Sequence, residues 1–160
     1  SHTWRHWYVG ADTAEGKVRY APFRQKGGEV LDAQAFCAEL KKPGEAFRAM
    51  TGRDLDGLWR APGGKTSPKA IEYAKGCGFT HAGWSPAGFS GDELPADKYP
   101  SDKLVARQLK DTKDGDILLW HLGIWSRTDP LWPRLDEVIG GLKAKGLCFA
   151  RLTDDKRWIR

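Results

Sequence analysis

The apolar positions of this chain fall into short stretches that alternate between helical and extended periodicity. Over 31–50, Phe36, Cys37, Leu40, Phe47 and Met50 recur at helical spacing around Pro43-Gly44, which predicts two short helices or one broken one. Ser67-Pro68 is a helix start, with Ser as N-cap and Pro in the first turn, and Ile71, Tyr73 and Ala74 carry that helix to Gly76. Ser101 is expected to cap a helix over Leu104, Val105 and Leu109 that stops near Gly115. A fourth helix is expected to open at Pro130, to place Leu131, Leu135, Val138, Ile139 and Leu142 on one stripe, and to end at Gly146.

Extended segments are predicted between these helices. Residues 54–60 approach a buried strand, 79–84 form another, 116–121 are a short run of the kind buried on both faces, and 147–153 are the last. Residues 10–30 and 85–101 lack a sustained period and carry repeated Gly or Pro, so both read as long loops. Helix and strand thus alternate four times, which implies a single α/β domain over 1–160 built on parallel strands with right-handed crossovers. In such folds chemistry gathers at the C-terminal strand ends. Arg60-Ala61-Pro62-Gly63, Trp84-Ser85 and His121-Leu122-Gly123 stand there.

Composition narrows the function classes. With 26 Lys and Arg against 21 Asp and Glu, the net charge of +5 is modest and intermixed, so a nucleic-acid partner is not expected. No run approaches the roughly 18 apolar residues of a membrane span, so no transmembrane segment is expected. The Ser1-His2 start has neither an initiator Met nor a signal peptide and reads as a processed or cleaved product. Cys37, Cys77 and Cys148 show no metal-binding spacing; they are three small buried hydrophobes, or one disulfide plus a thiol, or one of them pairs outside these residues.

Four residues could carry chemistry. His2 and His6 are four apart, so on a helical turn both imidazoles reach one metal ion; the alternative is a pair of exposed bystanders. His121 ends an apolar run, either as a hydrogen-bonded core histidine or as a general acid or base. Arg60, before the Pro62-Gly63-Gly64 turn, is a strand-end cation or a fork that holds a carboxylate. His81 has no comparable context and reads as structural.

The joint order of His2-Thr3-Trp4-Arg5-His6, Arg60-Ala61-Pro62-Gly63-Gly64 and Leu119-Trp120-His121 resembles the second, third and fifth signature motifs of the polysaccharide deacetylases, the NodB-homology domains of carbohydrate esterase family four. Residues 135–152 resemble the last helix and strand of that domain. The resemblance implies a distorted, incomplete (β/α) barrel and metal-assisted hydrolysis of N-acetyl groups on an amino-sugar polymer. By position, His2 and His6 would ligate a divalent ion, most often zinc, and His121 would protonate the departing amine beside an acetate pocket shaped by Leu119. The N–H of Gly63 would face the oxyanion, and Arg60 would orient the carboxylate base. Among eight tryptophans, Trp84, Trp120 and Trp125 are the expected sugar platforms, and at least half of the eight are expected in the core. Family analogy also implies an exported protein.

The departures from the family pattern are specific. The Thr-Phe-Asp-Asp motif that supplies the base and third metal ligand is absent, so the first strands and a companion N-terminal fragment are expected from elsewhere in the gene product. Gly63 replaces the usual Tyr of the third motif. The fourth motif is degraded to residues 84–92, with Asp92 the candidate carboxylate to tune the arginine, and Leu122 stands where Asp commonly follows the His. Three readings follow: an N-deacetylase completed by a second segment, a non-catalytic carbohydrate-binding remnant, and an O-acetyl esterase on the same scaffold.

Overall fold

A computed structural model describes residues 1–155 of the chain and divides it into two compact units, Ser1–Gly83 and Trp84–Arg160. The fold is mixed α/β, with four α-helices among the described residues.

The first unit begins with an antiparallel meander of β1 (Tyr8–Asp12), β2 (Val18–Ala21) and β3 (Glu29–Leu31). These strands occupy much of the stretch expected to be a loop. Alternation exists only at short range there: Val9, Val18, Tyr20 and Leu31 point inward, and Gly and charged residues fill the turns between them. Helix α1 (Ala33–Thr51) follows as one element with Pro43 inside it. It starts where the Asp32 side chain accepts from the Ala35 N–H and ends at Gly52, whose left-handed φ of 71° returns its N–H to the Arg48 carbonyl. Phe36 and Leu40 are fully buried against the sheet, each removing apolar surface worth roughly 2 kcal/mol from water, whereas Met50 is exposed.

Strand β4 (Leu58–Trp59) pairs in parallel with β5 (Thr80–His81), and α2 (Pro68–Gly76) joins them as a short βαβ unit. Ser67 caps α2 as expected, accepting from the Ala70 N–H, with Pro68 in the first turn. The core of this unit collects Val9, Tyr20, Phe36, Leu40, Trp59 and Ala74. The Cys37–Cys77 disulfide ties α1 to the end of α2, while Cys148, in the second unit, is free and exposed. One disulfide and one thiol thus replace three buried hydrophobes.

The second unit is built around α3 (Ser101–Asp111) and α4 (Leu135–Ala144), which bury Leu104, Val105, Val138 and Leu142 against Leu131. Two expected starts are corrected. Ser101 is the first residue of α3 rather than its cap, because the Asp129 carboxylate takes its N–H at 2.6 Å. The chain reaches α4 through a 3-10 turn over Trp132–Arg134, so the helix begins five residues after Pro130. Residues 116–121 contribute one parallel bridge, Phe89 to Leu119, and 147–153 make no strand pairing. The described strands therefore form an antiparallel three-stranded sheet and a parallel pair rather than an all-parallel array. No helix among the described residues is long and apolar enough to cross a membrane.

Candidate functional site

Two groups of side chains, one in each unit, hold the chemistry. In the first unit, residues 1–2 run beside β4, where the Arg60 N–H donates to the Ser1 carbonyl at 2.9 Å. That pairing sets His2 so that its Nδ1 lies 2.5 Å from the Arg60 carbonyl. A carbonyl only accepts, so Nδ1 carries the proton and Nε2 keeps its lone pair, the arrangement found in metal-ligating histidines. Burial lowers the His2 pKa and so favours this neutral ring.

His6 meets His2 edge to face, with ring centroids 4.8 Å apart. A helical turn is not what brings them together. Thr3 and His6 have φ of 60° and 55°, so the segment coils through left-handed residues and arrives at the same proximity by another route. This conformation is clamped from below. The buried Tyr20 hydroxyl lies 2.8 Å from Thr3 Oγ1 and 3.0 Å from Glu39 Oε2, with one proton to share between them, and Arg5 Nε donates to Glu39 Oε1 at 2.8 Å. Neither Tyr20 nor Glu39 was singled out in the sequence. The available signal was Glu39 itself, a carboxylate within the α1 stripe of Phe36 and Leu40.

Arg60 leads into a turn in which Gly63 has φ of 63°, and its guanidinium pKa is lowered by burial. A Cβ on Gly63 would come within 2.7 Å of the Tyr8 ring, so the missing side chain leaves room for an aromatic supplied by β1. His81 accepts the Ala61 N–H through Nε2 at 3.3 Å and packs edge-on against Trp59. The structural expectation for His81 fits this contact. Among the described residues no three His, Cys, Asp or Glu side chains group to hold a metal ion. His2 and His6 have the donor chemistry for two nitrogen ligands of such an ion and do not by themselves complete a site.

In the second unit, Gly88 lets the 85–101 loop approach the 117–119 backbone: a Cβ there would fall 1.8 Å from the Ile117 carbonyl oxygen. The Leu119 N–H donates to the Gly88 carbonyl at 2.9 Å, and Arg107 Nη2 holds the Phe89 and Ser90 carbonyls at 2.8 and 2.9 Å. Held this way, Asp92 faces His121. It accepts the His121 backbone N–H at 2.6 Å and Nδ1 at 3.0 Å, while Glu93 Oε1 lies 3.2 Å from Nε2. Asp92 is 2% exposed and His121 about a third exposed, so the pair is anchored inside, with Nε2 beside the exposed Glu93. Within this unit, the carboxylate that the sequence offers as a partner for an arginine is bound to His121.

The aromatic expectations divide. Leu119 is buried, Trp125 is almost wholly exposed, and Trp84 stacks on Phe89 at 6.3 Å. Trp120 is half-buried with its indole N–H on Gln108 at 2.7 Å, and it lines an apolar cavity of about 400 Å³ that includes neither Asp92 nor His121. Among the described tryptophans Trp59 is fully buried and Trp7 and Trp120 pack partly buried against the two cores, while Trp158 lies outside the described residues.

The fold is similar to that of several solved structures. A CE4 family pseudoenzyme from Bacillus anthracis aligns over 96% of this chain and 44% of its own, at 17% identity and a TM-score of 0.66. A mutant of that pseudoenzyme with restored enzymatic activity aligns over 91% and 43%, at 18% identity and a TM-score of 0.62. A family 4 carbohydrate esterase from Streptomyces lividans, in complex with acetate, aligns over 76% and 58%, at 20% identity and a TM-score of 0.60. The chain shares the CE4 fold over the aligned residues. It spans about half the length of these proteins. No family model and no curated protein matches the sequence.

Proposed function

We propose that this chain is the larger part of the catalytic domain of a metal-dependent polysaccharide N-deacetylase, acting on amino-sugar residues of a peptidoglycan, chitin-like or exopolysaccharide chain. The observation that carries the reading is the Asp92–His121 pair. A buried carboxylate holds the Nδ1–H and so orients the ring, and a second proton carried on Nε2, beside Glu93, is the one handed to a leaving amine. His2 and His6 are assigned as ligands of a divalent ion, zinc by preference, which when bound activates water and polarises the amide carbonyl. The Gly63 N–H donates to the developing oxyanion, Arg60 orients the carboxylate base, Leu119 lines the acetate pocket, and Trp84 and Trp125 contact sugar rings. The base and the third ligand come from an Asp pair on a companion segment outside these 160 residues. The Cys37–Cys77 disulfide supports an exported protein at the cell envelope.

The test is zinc content together with acetate release from chito-oligosaccharides by the gene product containing this chain. Stoichiometric zinc lost in His6→Ala, with acetate release lost in His121→Ala, is the expected result. Acetate release that survives both substitutions would overturn the reading. An O-acetyl esterase on the same scaffold would release acetate only from O-acetylated glycans.

A second reading is favoured by one specific finding: the structure aligned over 96% of the chain is a pseudoenzyme. On this reading the chain binds carbohydrate without turning it over. Saturable glycan binding by the zinc-loaded protein, with no acetate released from N- or O-acetylated substrates, would establish it.

A further inference from the structure

We propose that Tyr8, Phe23 and Arg24 form a saccharide subsite beside Gly63 that takes an amino-sugar unit carrying a carboxylate. The proposal rests on the reading above and names the substrate chemistry of the same site. Tyr8 opens β1 opposite Ala21 of β2, which places Phe23, two residues further on, next to the Tyr8 ring. The two rings stack with centroids 4.8 Å apart and planes 21° from parallel. One side of Tyr8 abuts Gly63, where any Cβ would clash, so the Tyr8 ring stands in the space a side chain at 63 would fill.

Core packing does not account for this stack. Phe23 is 52% exposed and is held by Tyr8 rather than by the buried cluster of the unit. A rigid exposed ring presents an apolar face at little entropic cost, which suits the C–H face of a pyranose. Arg24 adds charge to that face: its guanidinium lies 4.9 Å from the Phe23 centroid, and it forms no ion pair among the described residues. Its φ of 54° is a left-handed conformation that a non-glycine residue adopts at a cost, so the turn holds the cation beside the ring against local preference. A ring flanked by an unpaired guanidinium discriminates a carboxylate-bearing sugar from a neutral one.

The experiment is calorimetric titration of the full gene product with two probes, neutral chitopentaose and a glycan of the same length containing muramic acid. Phe23→Ala is expected to weaken both roughly tenfold. Arg24→Gln is expected to weaken only the muramic-acid glycan, to remove the salt dependence of its binding, and to be partly rescued in Arg24→Lys. Equal binding by Phe23→Ala and the parent on both probes overturns the subsite. Equal loss on both probes in Arg24→Gln overturns the carboxylate preference. If the parent binds neither probe, the subsite and the proposed function fall together; if it binds both and the variants do not differ, only the subsite falls.

Discussion

The Asp92 carboxylate grips His121 at two points, its backbone N–H at 2.6 Å and its ring Nδ1 at 3.0 Å. One buried side chain therefore sets both where the histidine backbone lies and which way its ring faces. Asp92→Asn keeps the shape but turns an acceptor oxygen into a donor that opposes Nδ1–H. The expected outcome is a fall of roughly 10²–10⁴-fold in kcat for acetate release with KM little changed. Steady-state kinetics on a chito-oligosaccharide checks it, and an unchanged kcat would leave Asp92 a purely structural acid.

The Cys37–Cys77 bond closes a separation of 40 residues across α1 and α2. Replacing both cysteines with alanine is expected to destabilise the first unit by about 2–4 kcal/mol. Thermal unfolding of the variant and of the parent with and without reductant checks this: reductant should lower the parent's Tm and leave the variant's unchanged.

Burial pushes the Tyr20 hydroxyl pKa up to about 12, above the ordinary 10.0. A raised folded-state value means that the neutral phenol is the form the fold favours. Its contribution is complete below pH 10 and is lost as pH rises toward 12. Tyr20→Phe should abolish this alkaline loss while costing about 1–3 kcal/mol at neutral pH, because Glu39 and Thr3 lose a buried hydroxyl partner. Phenolate absorbance and urea unfolding between pH 9 and roughly 12 read the two effects separately.

His81 is held neutral by burial, reinforced by the charge of Arg60. A lowered folded-state pKa means that the unfolded chain binds the proton more readily. Stability from this residue is therefore present above the ordinary 6.5 and falls as pH drops below it. Replacement by Gln, which can still accept from the Ala61 N–H, should flatten urea midpoints between pH 7 and about 5. An acid dependence identical to the parent's would assign the effect to other groups.

Much of the fold was legible where the signal is local. Ser67 with Pro68 starts α2, and the Leu135, Val138, Leu142 stripe of α4 faces a core, because capping and a 3.6-residue period act within one or two turns. The meander over 8–31 was not legible, since its strands are three to five residues long and their pairing depends on partners across turns.

The candidate site divides along the same line. The sequence alone named the residue types and their order: His2 and His6, Arg60 with Gly63, and His121. Only the tertiary structure decided what each one touches. It joined Cys37 to Cys77 and left Cys148 free, brought the histidines together through left-handed backbone, turned Asp92 to His121, and laid Tyr8 over Gly63. Each of these relations joins side chains through backbone positions fixed by packing elsewhere, and periodicity along the chain carries no information about such distances.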